Sequence, residues 1–145
     1  MKRVLLLFIC LFIVFTTQAQ GKPSTHRKVF VKQFMKNVCE NNSRKVRKSL
    51  NNDYLKNELK ILDGDKKQFL NELFLGIDKI SGESVSIKFN DISSISIYEI
   101  AEITAKDKKI AWVYVFEVSD GEHTILAPLL LEKHFGSFGF IAARR

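Results

Sequence analysis

Histidine, cysteine and paired carboxylates are the side chains from which most active sites are built, and this chain holds few of them. Its three histidines are His26, His123 and His134. They are spread between a loose N-terminal lead, a hairpin turn and the end of a strand pattern. None belongs to a His-x-x-x-His pair or has a carboxylate at metal-ligand spacing, so the sequence proposes no metal ligands. Gly-x-Ser-x-Gly, phosphate-loop and dinucleotide glycine signatures are all absent, and with them any motif for a hydrolase or a nucleotide enzyme. No residue is assigned a catalytic role and no cofactor is implied. Glu99, Glu102 and Glu117 fall on strand patterns but match no general-acid motif. Charge is the stronger signal. The formal net charge is +7, and the basic residues concentrate in the N-terminal half, above all in Arg44-Lys45-Val46-Arg47-Lys48 and in the stripe Lys28, Lys32, Lys36. Such a face suits an anionic lipid, glycan or protein partner, or simply solvates a helix.

The two cysteines divide differently once the N-terminus is read. Met1-Lys2-Arg3, the unbroken apolar run Val4 to Phe15, and Thr16-Thr17-Gln18-Ala19 follow the charged, apolar and small-residue order of a cleavable secretory signal. As a helix the apolar run rises only about 18 Å, short of a bilayer's hydrocarbon core. The expected organisation is therefore a signal peptide over residues 1–19 and one exported domain over 20–145, periplasmic or secreted, with no apolar run left that is long enough to span a membrane. Export also argues against nucleic acid as a partner, since no recognised binding motif accompanies the basic residues. Cys10 leaves with the signal, so Cys39 has no internal disulfide partner. It falls on the apolar side of a helical pattern and is expected to be a small buried hydrophobe.

The elements that would position any site read in two halves. Phe30, Val31, Phe34, Met35, Val38 and Cys39 recur at helical spacing opposite the lysine stripe. A second short helix with Val46 and Leu50 inward is capped by Ser43, and a third, with Leu55 and Leu59, by Asp53. Asp63-Gly64 turns the chain. Asp65 and Gln68 form the pattern of a capping box for a helix with inner face Phe69, Leu70, Leu73 and Phe74, which Gly76 is expected to stop.

From Gly82 the apolar period becomes 2. Val85, Ile87 and Phe89 read as one face of a strand, and a parity change after Ile97 predicts a bulge near Tyr98-Glu99. Ile110 to Phe116 is apolar on both faces, as a covered central strand would be. Asp120-Gly121 signals a hairpin, Pro128 marks an edge position or bulge in the next strand, and Phe138 to Ala142 closes the sheet. Helices first and a meandering antiparallel sheet second make an α+β domain, N-terminal helices packed on a curved antiparallel sheet.

This order of elements over residues 26 to 142 resembles the NTF2-like, cystatin-like superfamily, in which helices sit against a strongly curved sheet. The last two hairpins carry the likeness, through Trp112 to Val118, Asp120-Gly121, Pro128 to Glu132 and His134 to Ile141. The Gln-x-Val-x-Gly loop of protease-inhibiting cystatins is absent. The resemblance implies a pocket between helices and sheet, where Tyr54, Tyr98, Trp112, Tyr114 and His123 would be ligand-binding residues, because rings with one polar tip suit a cavity wall. The expected function is non-catalytic binding of a small ligand, peptide or envelope partner. Two alternatives stand beside it: a pocket-acid isomerase or lyase of the ketosteroid isomerase type, and an electrostatic binder of anionic envelope polymers or lipid. Pairing with a second copy to form a homodimer is left open.

Overall fold

The computed structural model describes residues 25–106, 108–134 and 136–142, with backbone alone at 108, 109 and 134. The expected signal peptide over 1–19 lies outside the described residues. Among the described residues four helices come first: α1 (Thr25–Cys39), α2 (Ser43–Lys48), α3 (Asn52–Ile61) and α4 (Lys66–Leu73). Six strands follow: β1 (Leu75–Asp78), β2 (Ser84–Ser86), β3 (Ser94–Ala105), β4 (Lys108–Ser119), β5 (Thr124–His134) and β6 (Ser137–Ala142). A single 3-10 turn, Phe89–Asp91, lies between β2 and β3. The protein is an α+β fold with N-terminal helices on a curved, open antiparallel sheet.

Side-chain oxygens start three of the helices. Asn42 Oδ1 accepts from the Lys45 amide, Asn51 Oδ1 from the Asp53 and Tyr54 amides, and Asp65 Oδ1 from the Lys67 and Gln68 amides. Each satisfies amides that the first helical turn leaves unpaired. The caps of α2 and α3 are thus Asn42 and Asn51, not Ser43 and Asp53. The box at α4 is half formed, because the Gln68 side-chain NH2 group donates to Glu72 and the Asp65 backbone N–H donates to the Leu62 carbonyl.

Strand β5 organises the sheet. One edge pairs along its length with β4, while the other is shared by β1, opposite Ile125 and Leu126, and β6, opposite Leu129 to His134. Pro128 lies between these two partners, where no strand asks for its missing amide. β3 flanks β4 and slips register between Ile97 and Glu99, the bulge that the parity change predicts. The slip bends the strand and re-aims its side chains.

Cross-strand partners share a face, so the register sorts the sheet into two sides. Inward rows are Trp112–Leu131–Phe140, Tyr114–Leu129–Ala142, Phe116–Ala127 and Val118–Ile125, all buried. Against them α1 lays Val31, Phe34 and Val38; the Phe34 ring lies 4.5 Å from Phe140 and 5.7 Å from Phe116. Val46, Leu50, Phe69, Leu70, Leu73 and Phe74 complete the core, as the helical spacing predicts.

Three local expectations are corrected. Cys39 is exposed, because Val38 already fills the inward position of the last helical turn before Asn41 turns left-handed at φ 52°. Gly76 does not stop α4, which ends at Leu73; it is the second residue of β1, held where a Cβ would overlap the Leu126 carbonyl oxygen. The strand expected from Gly82 is only three residues long, and Ile87 and Phe89 are buried beyond its end.

Candidate functional site

The five residues that the resemblance assigns to a pocket occupy four separate places. Trp112 and Tyr114 are together, two residues apart on the inward face of β4, and Phe140 packs edge-on to Tyr114 at 6.0 Å. Tyr54 belongs to α3 and packs on Phe69, ring centroids 6.0 Å apart, within the helical layer. Tyr98 is 56% exposed at the bulge, on the far face of the sheet, with the Lys79 ammonium 5.7 Å above its ring. Lys79 is also bound to Glu117 at 2.6 Å. His123 stands at the β4–β5 turn with half its side chain in solvent, its Nδ1 3.3 Å from Asp78 Oδ2.

The Trp112 and Tyr114 end of the core contains a residue that sequence reasoning missed. Arg27, in the first turns of α1, is 4% exposed, and its guanidinium lies 4.3 Å over the Trp112 ring. A cation over an indole face is attractive, by about 2 kcal/mol when desolvated. Burial pushes the Tyr114 hydroxyl above the ordinary tyrosine range, and the adjacent Arg27, which hydrogen-bonds it, draws it back. Glu102 shares the inward row with Trp112. The Trp112 indole N–H is buried with no hydrogen-bond partner. The available signal was spacing: Arg27 stands four residues before Val31, on the same stripe as Phe34 and Val38.

The Asp78 constellation is architectural. Its Oδ1 accepts from the amides of Ile80 at 2.9 Å and Ser81 at 2.8 Å, closing the β1–β2 turn. Those amides, Ser81 first, hold the Asp78 carboxyl below the usual aspartate range, with a smaller contribution from His123. Asp120 serves the next turn likewise, accepting from the amides of Glu122 and His123, which keep its carboxyl low despite partial desolvation. Among the described residues no three His, Cys, Asp or Glu side chains gather as a metal ion would require.

A cleft of about 250 Å³ opens elsewhere, between α2, α4 and the 3-10 turn. It is lined by Ser43, Arg47, Lys66, Lys67, Leu70, Asn71, Phe89 and Asn90, hence by three cations and no carboxylate. Its walls are fixed: Leu70 and Phe89 are core residues, and Asn71 Oδ1 accepts from the Phe89 amide at 3.1 Å, leaving its NH2 group as a donor. Arg44, Lys45 and Lys48 extend the positive charge along exposed α2. Sequence reasoning singled out the α2 basic run; it did not foresee that the fold brings Lys66 and Lys67 beside it.

No family model matches this chain, and neither a curated protein nor a solved structure matches it. Among the described residues no helix is long and apolar enough to cross a membrane.

Proposed function

We propose that the chain is an exported, non-catalytic binding domain of NTF2-like architecture, and that its basic cleft takes the phosphate or sulfate group of an anionic envelope lipid or polymer. One observation carries this reading: three cations and no carboxylate line a cleft with fixed walls. Arg47 can grip an oxyanion with two parallel N–H donors while Lys66 and Lys67 act as point charges. Export rests on the order of residues 1–19.

Binding is tested with inorganic phosphate, with soluble polyphosphate, and with vesicles of phosphatidylglycerol against phosphatidylcholine, in 50 mM and 500 mM salt. Neutralising Arg47, Lys66 and Lys67 together is expected to abolish binding that is strong at low salt. Neutralising Lys28, Lys32 and Lys36, an equal change in net charge on α1, is expected to leave most of it. Equal loss in both variants, or no binding to any of the three probes, rejects the reading. Polyphosphate without vesicles identifies a polymer ligand; anionic vesicles without polyphosphate identify a headgroup.

A second reading, a small neutral ligand with an acceptor oxygen near Trp112, is favoured by the unpartnered indole N–H. Trp112 is the only tryptophan, so its emission reports that site directly. The isomerase or lyase alternative needs substrate-sized space beside Tyr114, where Phe116, Phe140 and Leu129 are wholly buried in mutual contact.

A further inference from the structure

An oxyanion alone leaves much of the basic cleft unused. A space of about 250 Å³ holds about eight waters at ~30 Å³ each, more than the four oxygens of a phosphate displace. It is nevertheless smaller than the roughly 300–1,000 Å³ of pockets that enclose drug-sized molecules. The difference is room for one small ring beside the anion.

The lining divides in the same way. Arg47, Lys66 and Lys67 form no ion pair among the described residues, so their charge is available to an anion. The remaining polar groups of the cleft, Ser43, Asn71 and Asn90, are neutral. A hydroxyl and a carboxamide each offer donor and acceptor atoms, the complement of a ligand hydroxyl, which also offers both. Asn71 is held in one orientation: its Oδ1 accepts from the Phe89 amide at 3.1 Å, and its backbone carbonyl accepts from the Ser86 hydroxyl at 2.7 Å. The first of these bonds decides which end of the carboxamide is oxygen and leaves the NH2 end to donate. Among the lining residues only Leu70 and Phe89 are apolar, and each is 2% exposed. An acyl chain therefore has no apolar trough to lie in, and a nucleobase has no free aromatic face on which to stack.

We infer that the cleft recognises a sugar unit carrying a phosphate or sulfate ester. The inference rests on anion binding in this cleft and adds what the anion is attached to. Arg47 and the two lysines take the tetrahedral oxyanion, the Asn71 NH2 group donates to a ring hydroxyl, and Ser43 and Asn90 supply the remaining donors and acceptors. A pyranose ring presents its hydroxyls from a rigid frame, so less freedom is lost on binding than with an open-chain polyol.

The test is calorimetric titration, at low salt, of the protein expressed from its full sequence. The probes are the 6-phosphates of glucose, galactose and mannose, and glucose 6-sulfate, each against glycerol 3-phosphate, which has the same ester and no ring. The tightest of the four is expected to bind about tenfold or more tighter than glycerol 3-phosphate, the gain that two added hydrogen bonds give. The double variant Ser43→Ala/Asn90→Ala removes side chains that make no hydrogen bond among the described residues. It is expected to erase most of that preference while leaving glycerol 3-phosphate within about twofold; circular dichroism checks its fold, and Asn90→Ala alone replaces it if the pair misfolds. Sugar esters that bind no tighter than glycerol 3-phosphate overturn this inference and leave anion binding standing. So does a variant, folded like wild type, that keeps the preference or weakens both ligands equally. Failure of every phosphate and sulfate probe overturns the anion reading itself, and this inference with it.

Discussion

Replacing Gly76 with alanine adds one methyl group at the point where β1 meets β5. That Cβ would overlap the Leu126 carbonyl oxygen and lie 2.7 Å from the Leu126 carbonyl carbon and 3.0 Å from the Ala127 nitrogen. All three atoms are backbone, so no side chain can swing away. Carbon atoms rest at about 3.5–4.0 Å, and relief requires the strands to part by on the order of 1 Å. The pairings Ile77↔Leu126 and Asp78↔Ile125, and the Lys79 amide bond to Thr124 at 2.9 Å, would then stretch beyond hydrogen-bonding range. Two or three such bonds at about 1 kcal/mol each, or the 1–3 kcal/mol of overpacking if the strands hold, put the loss near 3 kcal/mol. With a urea slope of about 1.5 kcal/mol/M, the unfolding midpoint falls by about 2 M. Gly64→Ala is the control: Gly64 sits at φ +81° with open space around its missing Cβ, so alanine there meets only left-handed strain, about 1–2 kcal/mol. A Gly76→Ala loss under 0.5 kcal/mol, or one no larger than that of Gly64→Ala, would refute the close-approach reasoning.

Asp65→Ala removes the acceptor for two amides at the start of α4 and should cost about 1 kcal/mol in urea unfolding, while Asp65→Asn should recover most of it. Arg27→Met keeps an apolar stem but loses the cation over Trp112; a shift in Trp112 emission and a loss of about 2 kcal/mol are expected, and an unchanged spectrum would remove Arg27 from the indole face. Because Asp78 titrates below the ordinary aspartate value of about 3.9, its stabilising effect is complete above that pH and disappears as pH falls through the lowered native value. In Asp78→Asn the drop in unfolding midpoint between pH 4 and pH 2 should therefore be smaller than in wild type.

Where local pattern and packing agree, the fold was legible in the sequence. The inward helical positions from Phe30 to Val38, the α4 face and the bulge after Ile97 all follow from periodicity, because a face that must be buried fixes its own phase. Gly76 was misread because a helix stop and a close strand crossing both demand glycine, and only Leu126, fifty residues on, tells them apart. Cys39 was misread because the apolar stripe ends one residue before it. Tyr98 parts from Trp112 and Tyr114 because strand parity changes at the bulge: even-numbered β3 residues face outward before it and inward after it, so Ile100, not Tyr98, lies opposite Tyr114. The basic cleft depends on Arg47 of α2 and Lys66 of α4 lining one space, and no spacing rule encodes that placement.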